Sequence, residues 1–142
     1  MEKTHAYVLA LGRVLLSSLF IWAGYGKLKD PGAVMQYFAK VGVPQPNLVV
    51  WDAILIEFVG GIALLVGFRT RSVAALLAIW CVITGFAVHL VTGVSSPDAM
   101  VAYDNMIHFY KNLAMAGGLL FVFVYGAGQI SIDGRFQVAR AR

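Results

Sequence analysis

The sequence predicts an all-α membrane protein: a bundle of four transmembrane helices, with a short amphipathic surface helix after the first span. Of the 142 residues, 60% are hydrophobic and only 13% are charged, whereas about a quarter of the residues in a soluble domain are charged. Four apolar runs approach the roughly 20 residues that a helix needs to cross a bilayer. They lie near residues 7–26, 48–68, 72–91 and 106–125. We therefore expect one domain, residues 1–142, with the lipid bilayer as its surroundings.

Charge distribution favours membrane orientation over nucleic-acid binding. The net charge is only +4, and the basic residues flank the apolar runs instead of forming one patch. The side of the bundle that holds the termini receives Lys3, Arg69, Arg71, Arg135, Arg140 and Arg142. Since cytoplasmic loops carry the excess of lysine and arginine, we expect both termini in the cytoplasm. The single cysteine, Cys81, excludes an internal disulfide and any multi-cysteine metal site.

The first span carries its most polar residues at helical spacing. These residues form one stripe, made of Arg13, Ser17, Phe20, Gly24 and Lys27. A lipid-facing stripe would be apolar, so this one is expected to face the bundle. The run is also too long for the core of a cleaved signal peptide, which predicts a retained helix.

A surface helix and the second span follow. Asp30-Pro31 is a typical helix start, and residues 32–41 have one apolar side, as in a helix that lies on a membrane surface. The second span places Glu57 near its middle. Gly60 and Gly61 lie three and four residues further on, so a neighbouring helix can come close to Glu57 on that face.

The last two spans bring further polar side chains. The short connection at residues 67–72 predicts an antiparallel hairpin of the second and third spans, and the third span carries His89 near its end. The fourth span begins near Met106, or earlier at Ser96-Pro97, which is another typical helix start. His108, Lys111 and Asn112 share one of its faces. After residue 125 we expect a turn and a basic tail.

Polar groups from four spans therefore converge, because hydrocarbon offers them no other partners. We predict a polar pocket in the outer half of the bundle, with Glu57 as its floor. By depth along the helices, Lys111 is the expected partner of Glu57 and Arg13 the second choice. The candidate ligand-binding residues are Glu57, His108, Lys111, Asn112, Lys27, His89 and Arg13.

Simpler interpretations stand beside this one. The partner of Glu57 can be purely structural and fix the helix register. Lys27 and Arg13 can extend to the two membrane interfaces, and His89 can be an interfacial histidine. A metal or haem at His108 is disfavoured, since its own helix holds no second histidine at ligand spacing. The three tryptophans are typical of the aromatic belt and of packing.

No nucleophile elbow, phosphate loop or dinucleotide-binding glycine motif is present, so the residues themselves do not indicate an enzyme.

An ordered set of short motifs covers nearly the whole chain. The set comprises Gly12-Arg13, Gly24-x-Gly26-Lys27-x-x-Asp30-Pro31, Tyr37-Phe38-x-x-x-Gly42-x-Pro44, Glu57-x-x-Gly60-Gly61, Arg69-Thr70-Arg71, His108-Phe109-x-Lys111-Asn112-Leu113 and Ile130-Ser131-Ile132-Asp133. In this order and spacing the chain resembles the DoxX family of small bacterial inner-membrane proteins. The resemblance implies four spans with both termini inside. It also implies that the polar positions among the candidate residues, other than His89, recur in the family.

The resemblance implies a redox setting as well. The family is named after the small subunit of a thiosulfate:quinone oxidoreductase, and many members are called oxidoreductases by inference only. Our first hypothesis is a redox-linked accessory subunit that holds a quinone- or lipid-like ligand and works with a soluble or membrane partner supplying electrons. The alternatives are a non-enzymatic scaffold that anchors a partner complex, and a small proton-coupled transporter, which the lack of an inverted repeat disfavours. A homo-oligomer is left open.

Overall fold

A computed structural model describes residues 3–140 of the chain. The described part contains six helices. They are α1 (Lys3–Lys29), α2 (Pro31–Lys40), α3 (Pro46–Val66), α4 (Thr70–Ser95), α5 (Ala99–Tyr125) and α6 (Ile132–Arg140). Helices α1, α3, α4 and α5 are long and apolar enough to span a membrane. The predicted fold class is therefore confirmed, and the predicted surface helix is α2.

Glycines let α1 and α3 pack almost backbone to backbone. A Cβ on Gly24 would lie 2.7 Å from Phe58 Cβ, and one on Gly61 would lie 3.0 Å from the Ile21 backbone nitrogen. The residues buried on α1 are Ala6, Arg13, Ser17, Phe20 and Gly24. Four of these belong to the predicted polar stripe, so the expectation that the stripe faces the bundle is confirmed.

The main core lies where α3, α4 and α5 meet the middle of α1. Its largest side chains, Leu64, Leu77 and Leu119, are completely buried. A smaller core holds α2 against the start of α3, with Phe38 on Val50 and Ala53. The connection between α3 and α4 is tight because Gly67 adopts a left-handed conformation with a φ of 71°, which favours glycine.

Two spanning helices contain a π-helical turn. One turn covers Leu55–Val59 and includes Glu57, and the other covers Gly85–Leu90 and includes His89. A π turn inserts one extra residue and shifts the face on which nearby side chains lie, and such turns are frequent at functional sites. Helical spacing on the sequence does not account for this shift.

At the end of the bundle that holds the termini, the last segment is bound to the α3–α4 connection. The Asp133 carboxylate accepts hydrogen bonds from the N–H groups of Arg69 and Thr70, at 2.9 and 2.8 Å, and Arg13 donates to the Ile130 carbonyl at 2.7 Å. Burial alone would raise the pKa of Asp133. The backbone hydrogen bonds and the charge of Arg13 outweigh it and hold that pKa below its ordinary value.

The fourth span begins early, as one of the predicted alternatives allowed. Asp98 forms the N-cap of α5, accepting from Met100 N–H at 2.8 Å, so the helix begins at Ala99 and not near Met106. The segment after residue 125, for which a turn and a basic tail were predicted, also contains the helix Ile132–Arg140. Asp30 does cap α2 as predicted, accepting from Ala33 N–H at 3.0 Å.

Candidate ligand-binding cavity

A cavity of about 520 Å³ lies in the half of the bundle opposite the termini, bounded by α1, α2, α3, α4 and α5. Its size is within the range of small-molecule sites. Six of the seven candidate residues from the sequence line it. They are Lys27, Glu57, His89, His108, Lys111 and Asn112.

The first polar wall of the cavity is the ion pair of Lys27 and Glu57, to which Trp80 adds a hydrogen bond. Lys27 Nζ lies 2.6 Å from Glu57 Oε2, and the Trp80 indole N–H donates to Glu57 Oε1 at 3.1 Å. The Glu57 side chain is only 11% exposed and that of Lys27 22%. Both carboxylate oxygens thus have a partner, as a charged group in an apolar bundle requires.

This pairing corrects the sequence-based prediction for Glu57. Lys111 was expected as its partner and Arg13 as the second choice, but the partner is Lys27. The backbone contact between Gly24 and Phe58 explains the result. Gly24 lies one turn before Lys27, and Phe58 is adjacent to Glu57, so close packing at this point brings the two charges together.

The second polar wall comes from α4 and α5. The rings of His89 and His108 are stacked with centroids 5.1 Å apart. His89 Nδ1 lies 3.1 Å from Asn105 Oδ1, and Lys111 Nζ lies 2.6 Å from His108 Nδ1. A neutral His108 accepts from the Lys111 ammonium through Nδ1, which leaves its proton on Nε2. Helix α5 itself has no second histidine near His108, and the histidine that lies beside it is His89 of α4.

Between these walls the cavity is largely apolar. Leu19, Phe20 and Ala23 of α1 and Met115 of α5 form its deeper surface, and Val34, Tyr37 and Phe38 of α2 cover the end. A mostly apolar space with a few convergent polar groups is the usual form of a site for a small organic molecule. The polar groups can orient a head group by hydrogen bonds, and the walls can hold a ring or chain.

Arg13 is not part of this cavity. Its side chain is 3% exposed and lies at the opposite end of the bundle, where it bonds to Ile130. Arg13 precedes Lys27 by fourteen positions on one helix, or about 21 Å along its axis. The side chain points toward the termini, so it does not approach Glu57.

Reasoning from the sequence missed Trp80, which lines the cavity, and Asn105, which contacts a cavity residue. Trp80 was assigned, together with Trp22 and Trp51, to the aromatic belt and to packing. Trp22 and Trp51 are 75% and 52% exposed, whereas Trp80 bonds to Glu57. Asn105, the partner of His89, was not considered at all. The glycines at positions 24 and 61, which bring α1 against α3, were noticed separately. Joining them would have indicated Lys27 as the partner of Glu57.

Comparisons with known proteins agree with the fold and add its family. A family model described as DoxX matches residues 8–90. The inner membrane protein YqjF of Escherichia coli (strain K12) is 36% identical over 94% of this chain and 95% of its own length. The inner membrane protein YphA of the same organism is 32% identical over 90% of this chain and 89% of its own length. An uncharacterized protein of Haemophilus influenzae is 33% identical over 96% of both chains. No solved structure matches the chain.

The family model covers more than half of the chain, and two relatives above 30% identity align over nearly their whole length. Their names place them in the inner membrane, and the four apolar helices of this chain fit a multi-pass protein of the bacterial inner membrane. The chain belongs to the DoxX family.

Proposed function

We propose that this protein is a ligand-binding membrane subunit whose cavity takes the head group of a quinone or a quinone-like amphiphile. The proposal rests on one observation: six polar side chains, from all four spans, line one largely apolar cavity of about 520 Å³. Polar and charged side chains inside a membrane are costly and usually have a function. A head group with carbonyl oxygens needs donors inside an apolar pocket, and this cavity has that composition.

Lys111 and His108 are the donors best placed for a carbonyl oxygen. Lys111 is only half-buried and its contact is with a neighbouring imidazole, not with a carboxylate. Its ammonium can therefore turn to a ligand without leaving a buried anion behind. Lys27 is less available, because moving it would leave Glu57 with only Trp80 as a partner.

A redox role needs groups beyond this chain. Quinone reduction takes up electrons and protons in equal number. The Lys111 ammonium can hand a proton to a quinone oxygen, whereas a neutral His108 can donate a hydrogen bond or take up a proton and pass it on. The electrons come from a partner protein or a bound carrier in this proposal, which makes the protein an accessory subunit. With both termini in the cytoplasm, as the flanking charges predict, the head group lies in the outer half of the bilayer.

Trp80 provides a direct test of ligand binding. Replacing the exposed Trp22 and Trp51 by Phe leaves Trp80, which lines the cavity, as the reporter. A ubiquinone analogue added to this variant in lipid nanodiscs is expected to quench its fluorescence saturably. Lys111→Met is expected to weaken binding by about tenfold or more, since hydrogen bonds to charged groups contribute about 1.5–3 kcal/mol.

The matched control is Lys40→Met, which removes an exposed lysine of α2 at the same end of the bundle but outside the cavity. It is expected to leave quenching unchanged. The proposal would be contradicted if the parent, which is the variant with Trp80 as its one tryptophan, showed no saturable quenching. It would also be contradicted if Lys111→Met and Lys40→Met changed the affinity equally.

A scaffold without ligand is the second candidate function. It is favoured by the complete pairing of Glu57. An ion pair in which both carboxylate oxygens have a partner can be purely structural and only fix the helix register. In that case Lys27→Met lowers the stability of the protein, while no cavity substitution changes the affinity for any quinone analogue. The two functions are thus separated by ligand affinity and not by stability.

A further inference from the structure

Helices α1 and α5 are in contact near the middle of the bundle and face each other across the cavity nearer to Lys27. The two helices meet at Leu16 and Gly118, where a Cβ on Gly118 would lie 3.3 Å from Leu16 Cδ2. Beyond this point, toward Lys27, the facing side chains line the cavity from opposite sides. On α1 these are Leu19 and Ala23, and on α5 they are His108 and Lys111.

The α1 edge of this gap is open. Gly26 lines the cavity and is itself exposed, and no heavy atom lies within 4 Å of the position that a Cβ would take there. Gly26 lies about one turn before the end of α1, and an uncovered face of a spanning helix borders the bilayer. The cavity is therefore not closed by protein at this edge of α1.

The α5 edge of the gap continues into a second depression. Lys111 lines the cavity and also a shallow groove on the membrane-facing side of α5, together with Tyr103, Met106, Ile107, Tyr110 and Ala114. Tyr103, Ile107 and Tyr110 are 65%, 48% and 63% exposed. The groove is nearly all apolar apart from Lys111, so it matches a hydrocarbon chain and not a polar group.

Helix α2, the predicted surface helix, forms one wall of the cavity. It places Val34 and Phe38 over the cavity, and Phe38 packs into the core formed with α3. A ligand that came from the aqueous side would have to displace this helix, whereas one that came from the bilayer would not.

We infer that the cavity is filled sideways from the membrane, through the gap between Gly26 of α1 and Lys111 of α5, by an amphiphile whose tail remains in the α5 groove. The inference rests on the proposed function, because the head group it places in the cavity is the quinone-like one. It adds the entry route and the requirement for a long apolar tail.

The first test blocks the gap. Gly26→Phe places a ring at the open edge of α1, and Gly12→Phe is its control, since a Cβ at Gly12 also meets nothing within 4 Å but lies far from the cavity. In the Trp80 reporter variant, we expect Gly26→Phe to slow binding of a long-chain ubiquinone analogue by about tenfold or more. Gly12→Phe should leave the rate unchanged.

The second test removes apolar surface from the groove. Ile107→Ser is expected to weaken binding of the long-chain analogue severalfold and to leave binding of the tail-less head group unchanged. Ile79→Ser is the matched control, because Ile79 is 59% exposed on α4 and lines neither depression. Thermal unfolding of each variant checks that the fold is kept.

The outcomes separate the inference from the function on which it rests. If the parent binds both analogues, and the gap and groove substitutions act no more strongly than their controls, the lateral route is wrong and the proposed function stands. If the parent binds neither analogue, both fail. A selective effect of Gly26→Phe and Ile107→Ser on the long-chain analogue supports the route.

Discussion

Replacing Lys27 by Met tests the electrostatic basis of the cavity most directly. The substitution keeps the length of the side chain and removes the charge that lies 2.6 Å from Glu57. The Trp80 indole N–H at 3.1 Å then remains as the carboxylate's donor. Because the Glu57 side chain is only 11% exposed, water replaces the ammonium poorly.

The expected loss of stability can be scaled from the burial of the two partners. Removing one member of a buried ion pair costs about 3–5 kcal/mol. Because the Lys27 side chain is 22% exposed and Glu57 keeps the Trp80 donor, we expect a value near the lower end, about 3 kcal/mol. Trp80→Phe, which removes a neutral donor from a charged acceptor, is expected to cost about half as much.

Reversible unfolding in mixed detergent micelles measures these changes, with Lys40→Met as the control for losing a surface lysine. A double substitution, Lys27→Met with Glu57→Gln, should recover part of the loss, since it leaves no unpaired charge. The reasoning is refuted if Lys27→Met costs no more than Lys40→Met, or if the two substitutions are simply additive.

Three further substitutions test the packing and the terminal clamp by thermal unfolding. Gly24→Ala is expected to cost about 1–3 kcal/mol, because the new Cβ would lie 2.7 Å from Phe58 Cβ, while Gly12→Ala, in open space, should cost nothing. Gly67→Ala should cost more than the about 1–2 kcal/mol expected for its positive φ, because the new Cβ would also clash with Arg13 and Ser131; stability equal to that of the unsubstituted protein would argue against this turn. The carboxylate of Asp133 has a lowered pKa in the folded chain, so its stabilisation is complete above about pH 4 and is lost as the pH falls through the folded pKa. Asp133→Asn should cost about 1 kcal/mol at neutral pH and remove this pH dependence; an unchanged pH profile would contradict it.

Much of the architecture could be predicted because the bilayer imposes it. Span length, the polar stripe on α1 and the Asp30 start of α2 all follow from local rules for helices in lipid. The same rules identified most of the cavity residues, since polar groups in spans have few places to go. These predictions needed no knowledge of how one helix crosses another.

The pairings inside the cavity were less predictable because they depend on helix crossing and rotation. Depth along a straight helix favoured Lys111 for Glu57, but the Gly24–Phe58 contact draws α1 against α3 and selects Lys27. The π turn at Leu55–Val59 also changes the face presented near Glu57. Trp80 was grouped with the other two tryptophans by residue type, although it lies near the middle of α4, where a buried indole needs an acceptor.

The two π turns have a consequence for how this family can vary. A π turn is an α-helix that has absorbed one additional residue, so deleting one residue within Leu55–Val59 or Gly85–Leu90 can restore a regular helix without disturbing the register on either side. Such a deletion would keep the span and its core contacts but turn Glu57 or His89 away from the cavity. A relative that had lost that one residue would keep the four-helix membrane fold but would lack a polar side chain of the cavity.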